Sequence, residues 1–143
     1  MSINLLAQSY TIMGDVKNID RDKYSLIFQC ENGKCRISFL NESIIRVQMT
    51  PYEKFPEDNL HLNENGPYAV VKYEWEGTEI KISEEFDSFL EGMIYKIDAG
   101  KLILKIRKSP FRLVFCDRNQ EILVREKDGI INAGLGYRDS IVY

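Results

Sequence analysis

Histidine, tryptophan and cysteine are scarce in this 143-residue chain: one His, one Trp and three Cys. The single histidine, His61, has no second histidine beside it and no cysteine within zinc-motif spacing, which argues against a zinc site. Cys30, Cys35 and Cys116 form an odd set, which speaks against a disulfide framework and suits a reducing compartment. No apolar run approaches the roughly 20 residues that cross a bilayer. The opening residues, Met-Ser-Ile-Asn-Leu-Leu-Ala-Gln, lack the charged and apolar regions of a secretory signal, so a cytoplasmic location is the expectation. Neither sign of charge dominates: 19 Lys and Arg stand against 22 Asp and Glu, interspersed, for a net charge of −3. That balance supplies no basic footprint for nucleic acid or an anionic membrane. The chain has no internal repeat, no low-complexity tract and no interior linker, and it points to no cofactor and no metal. A single domain over residues 1–143 follows.

What is present is a succession of short β-type segments separated by turn chemistry. Ser25-Leu26-Ile27-Phe28-Gln29-Cys30 leads into Asn32-Gly33, and Cys35-Arg36-Ile37-Ser38-Phe39-Leu40 leads out. Asn-Gly between alternating runs predicts a two-residue type I′ hairpin with both central residues at positive φ. On that register Glu31 pairs with Lys34, and Cys30 faces Cys35 as free thiols at the core edge. Ile45, Val47 and Met49 share one face of the next strand, which Pro51 ends. Residues 52–67 read as a long polar loop. Strands resume at residues 68–73 and 79–82, around a turn near Glu76-Gly77. Phe86, Phe89, Leu90 and Met93 have helical spacing, so residues 83–92 are ambiguous and hold at most a helical turn or two. Two hairpins follow, one around Ala99-Gly100 and one around residues 117–120. Leu102, Leu104 and Ile106 point one way in their strand; Ile103, Lys105 and Arg107 point the other. The predicted core is Leu26, Phe28, Ile37, Phe39, Ile45, Val47, Val70, Leu102, Leu104, Ile106, Leu113 and Phe115. Nine or ten strands with close turns and no long helix predict an all-β, antiparallel β-sandwich.

Three stretches, in order, resemble the N-terminal domain of the α-glucosidases of glycoside hydrolase family 31. Residues 35–51 carry Arg36, Ile37 and Phe39, then Ser43-Ile44, Arg46-Val47 and Pro51. Pro67-Tyr68-Ala69-Val70-Val71-Lys72 is similar to a segment that follows a variable loop. Residues 100–117 contain Pro110-Phe111-Arg112 between two strands and Asp117 opening the next turn. Gly134-Leu135-Gly136-Tyr137 is similar to a glycine-rich stretch near the domain's end, but the family's glutamate does not follow it. The resemblance implies a β-sandwich of the galactose-mutarotase-like type, the N-terminal part of a longer hydrolase whose (β/α)8 catalytic barrel lies outside this sequence. Its partners would be that barrel, in the same parent chain, and the parent's α-glucoside or oligosaccharide substrate. The implied role is to buttress the barrel and shape the sugar site, and the chain alone is expected to be inactive.

Retaining glycoside hydrolysis needs two carboxyl groups about 5–5.5 Å apart. Glu84-Glu85, Glu57-Asp58 and the pair Glu126 and Asp128 are local acidic clusters in turn-like segments, and they read as solvated surface. Mutarotase chemistry needs more than the one histidine, His61, which reads as structural or solvated. Tyr52, Phe55, Tyr68, Tyr73 and Trp75 crowd around the long loop; they read as packing, with sugar stacking in an independent carbohydrate-binding module as the rival. Lys105, Arg107, Lys108 and Arg112 form a basic stripe, read as a salt-bridged sheet surface with Glu121, Glu126 and Asp128 nearby. No catalytic residue is assigned, and no binding residue is singled out. An apolar surface for the barrel is expected at the loop aromatics and at residues 130–143.

Overall fold

Alternating side chains build two facing sheets. A computed structural model describes residues 11–55, 75–125 and 136–137, and among them every regular element is a strand. β1 (Thr11–Ile12) pairs with the last strand, β11 (Gly136–Tyr137). β2 (Val16–Arg21), β3 (Ser25–Cys30), β4 (Lys34–Asn41) and β5 (Ile44–Thr50) form a four-stranded antiparallel sheet in chain order. β6 (Lys81–Asp87), β7 (Gly92–Asp98), β8 (Leu102–Lys108), β9 (Phe111–Asp117) and β10 (Ile122–Arg125) form a five-stranded one, again in chain order. The antiparallel sandwich predicted from the alternation is the fold observed.

The core lies between the sheets. Leu26, Phe28, Cys35, Ile37 and Phe39 of the first sheet form one buried cluster with Ile97, Leu104, Ile106, Phe111 and Leu113 of the second. The Phe28 ring sits 5.6 Å from Phe111 and 6.0 Å from Tyr95, centroid to centroid, so one aromatic side chain ties β3 to β9 and β7. Backbone bonds join the layers at their margins: Lys101 N donates to Glu42 O (3.0 Å) and Phe111 N to Gly14 O (2.8 Å). Of the predicted core, Ile45, Val47 and Phe115 are half-buried against this cluster and Leu102 is half-buried; Val70 lies outside the described residues. Met13, Ile80 and Ala99 join the cluster from connections between strands.

Four readings of the sequence are refined. Residues 83–92, where at most a helical turn or two was allowed, hold no helix: β6 runs through Asp87, a turn follows, and β7 begins at Gly92. The helical spacing was coincidental, since Phe86, Phe89 and Met93 are exposed and only Leu90 is buried. The β3–β4 turn is also displaced. Phe28 pairs with Cys35 and Gln29 with Lys34, and Cys30 N donates to Gly33 O (2.9 Å), so the turn centres on Glu31 and Asn32. Neither Asn32 nor Gly33 has positive φ. The preceding chain sets this register: Asn32 N and Nδ2 donate to Met13 O and Ile12 O, and Glu31 N donates to Asp15 O. Gly33 serves close approach instead, because a Cβ there would lie 2.6 Å from Thr50 O. Third, Ile103 is buried although Lys105 and Arg107 share its face. The β6–β7 turn folds Leu90 onto that outer face, where it joins Ile94, Ile103, Val114 and Cys116 in a second cluster. Fourth, among the described residues the exposed apolar side chains are mainly Phe86, Phe89, Met93, Ile122, Leu123 and Val124, with Tyr52 from the predicted set; Tyr68, Tyr73 and the side chains of residues 130–143 lie outside the description.

Candidate functional site

Two concavities flank the five-stranded sheet. The first, about 430 Å³, opens between β2 and β6, the edge strands on one side of the sandwich. Leu26, Phe28 and Tyr95 reach it from the core, and Lys17, Arg21, Glu84 and Lys108 add charge. Strand pairing places Glu84 opposite Tyr95, on the face that looks toward the first sheet. The Lys108 ammonium lies 2.6 Å from Glu84 Oε2 and 4.1 Å from the Tyr95 ring centroid. The hydrogen bond to Glu84 holds Lys108 above the ordinary lysine pKa, against a smaller opposing effect of burial, so it is protonated at neutral pH. Glu84 is the one carboxylate among the described residues lining this cleft. Two opposed carboxyl groups, as glycoside hydrolysis requires, are therefore not assembled by them.

The second concavity, about 340 Å³, sits at one end of the five-stranded sheet and carries three arginines, Arg107, Arg112 and Arg125, with Phe89 and Glu91. Arg107 and Arg112 are directly paired across β8 and β9. Arg125 of β10 pairs with Val114 of β9, and its guanidinium carbon lies 5.5 Å from the Phe89 ring centroid.

The fold separates the residues singled out from sequence. Glu84 and Glu85 lie in β6 rather than a turn and face opposite sides, Glu84 toward Lys108 and Glu85 toward Lys96 (3.8 Å). The basic stripe divides too: Lys105, Arg107 and Arg112 share the outer face, while Lys108 faces inward. Lys105 pairs with Asp87 and Lys108 with Glu84, both on β6, while Glu126 and Asp128, two of the expected acidic neighbours, lie outside the described residues. Phe55 is buried under the Arg36 guanidinium (4.1 Å), so it packs; Tyr52 is exposed and Trp75 half-buried. His61, Glu57, Asp58, Tyr68, Tyr73, Glu126 and Asp128 lie outside the described residues. Among the described residues no group of three or more His, Cys, Asp or Glu gathers to hold a metal. Reading along the sequence missed the roles of Tyr95 and Arg125, which reach their clefts through strand pairing, and of Phe89, which the β6–β7 turn carries there.

Comparison with family models and with curated sequences finds no match. Among solved structures the chain is similar to a GH31 dextranase from Flavobacterium johnsoniae, a mutant in complex with isomaltotriose. The TM-score is 0.63 at 20% identity, and the match covers 82% of this chain and 13% of the dextranase. The chain thus shares its fold with a small part of a GH31 enzyme, as the resemblance implied.

Proposed function

We propose that this chain is a non-catalytic β-sandwich domain of an α-glucosidase-like glycoside hydrolase, supporting a (β/α)8 barrel and bordering its sugar site. One observation carries the reading: the fold match spans most of this chain and only a small share of a GH31 dextranase, a proportion that suits an accessory domain. Two others support it. The described cleft residues assemble no carboxyl pair, and large apolar side chains stand in water at Phe86 (68% exposed), Val124 (63%) and Phe89 (58%). Exposed apolar groups of this size are suited to contact with another domain. The parent would act on an α-glucoside or oligosaccharide, and the odd cysteine count favours the cytoplasm.

Sequencing the native transcript through and beyond the codon for Tyr143 tests this. Continuation into alternating strand and helix patterns is the expected outcome; a stop codon immediately after Tyr143 overturns it. Titration of the chain with isomaltotriose addresses the rival: saturable, micromolar binding would mark an independent carbohydrate-binding module.

A further inference from the structure

Arg107, Arg112 and Arg125 gather around one pocket at the end of the five-stranded sheet. Like charges directly opposite each other in a sheet are destabilising, and Arg107 and Arg112 are such a pair. Two of the described acidic side chains of the same outer face, Asp87 and Glu85, have their own partners. Asp87 Oδ2 lies 2.9 Å from Lys105 Nζ, and Asp87 Oδ1 accepts from Leu90 N; Glu85 faces Lys96. Glu91 lines the pocket and is exposed. Arg112 Nη1 donates to Phe111 O (3.0 Å), Arg125 lies over Phe89, and both arginines have further contacts as well. Arg107 differs: its Nε is buried without a hydrogen-bond partner. A buried guanidinium N–H left unpaired is costly, because it has lost water and gained nothing. Leu90 and Val114 of the outer-face cluster line the pocket and keep solvent from one side of the site.

We propose that this pocket binds an oxyanion group, with Arg107 Nε as the central donor and Arg112 and Arg125 supplying charge around it. An oxyanion relieves the repulsion of the cross-strand arginine pair and satisfies the buried donor. Guanidinium groups match carboxylate and phosphate oxygens in charge and geometry better than lysine does. The Phe89 ring beside Arg125 forms an apolar wall against which the body of such a ligand packs. This site is separate from the sandwich's supporting role and does not depend on it.

The test uses the ¹⁵N-labelled chain and the arginine Nε–Hε signals of its NMR spectrum. Separate titrations at constant ionic strength use sodium phosphate, sodium acetate and a short glutamate-containing peptide, with sodium chloride as the control. The signal missing from Arg107→Lys is expected to move saturably with an oxyanion and not with chloride. Which of the three acts at the lowest concentration separates phosphate, a free carboxylate and a carboxylate on a docked chain. R107K keeps the charge but removes the Nε donor, and it should weaken binding about tenfold. Should R107K fail to fold, Arg125→Ala, at an exposed strand end, should likewise weaken it. Linear shifts, equal shifts with chloride, or unchanged affinity in the folded variant would overturn the proposal.

Discussion

Lys105 and Asp87 form an ion pair of 2.9 Å with side chains only 16% and 10% exposed. It spans β7, joining β8 to the last residue of β6 where the β6–β7 turn begins. Asp87 also accepts the backbone N–H of Leu90 at 2.9 Å, which fixes the turn that places Leu90 on the outer-face cluster. Burial alone would raise the Asp87 carboxyl. The Leu90 hydrogen bond and Lys105 together outweigh it and hold the group below its ordinary value of 3.8.

Asp87→Asn should therefore destabilise the chain by about 2 kcal/mol at neutral pH, since charge-assisted bonds are lost and Lys105 keeps its charge. The pH dependence has a fixed sign. A lowered carboxyl contributes stability above the unfolded-state pKa and loses it as pH falls through the folded value. The gap between wild type and D87N in urea denaturation should be constant near neutrality and close only in acid, below the ordinary aspartate pKa. A gap that persists unchanged into strong acid would show that the carboxylate charge is irrelevant.

Gly33→Ala tests the displaced turn. With φ negative, alanine is conformationally acceptable there, but its Cβ meets the Thr50 carbonyl at 2.6 Å. Overpacking against backbone should cost about 2 kcal/mol in equilibrium unfolding. A type I′ turn would instead make D-alanine at position 33 stabilising; in this structure it should not be.

Much of the sandwich was legible because its strands are half-buried. Cys35, Ile37 and Phe39 alternate with Arg36 and Ser38, and β4 buries one set and leaves the other half-buried. Gly100 adopts φ 105 at the β7–β8 turn, where the sequence placed a hairpin. What failed to show depends on partners distant in sequence. The Asn32-Gly33 signal is real chemistry, but hydrogen bonds donated by Glu31 and Asn32 to the carbonyls of residues 12, 13 and 15 hold the turn one residue earlier. Ile103 reads as facing solvent until Leu90 covers it. Of the arginine pocket, Arg107 and Arg112 were visible as a basic stripe. Their direct pairing, and the approach of Arg125 and Phe89, arise from register alone.

The thiols offer a kinetic prediction. Burial above all, with the nearby Glu31 and Asp15 carboxylates, pushes Cys30 up to about 12 from an ordinary 9.0. Burial likewise raises Cys116. Because the thiolate is the nucleophile, alkylation of native Cys30 by iodoacetamide should be on the order of a thousandfold slower than in the unfolded chain. Mass spectrometry of peptides after timed labelling near pH 8 measures this. Fast native labelling of Cys30 would mean that the core-edge packing is absent.

The proposed supporting role requires a reading frame that continues downstream, and separating the chain from that remainder tests the role most directly. The chain, the downstream remainder, and the two expressed together would be assayed for release of glucose from isomaltotriose. The account predicts no turnover by the chain, little soluble or active remainder, and activity recovered on co-expression with the two pieces eluting together. Hydrolysis by the chain alone, or a remainder that is fully active and stable without it, would contradict the account.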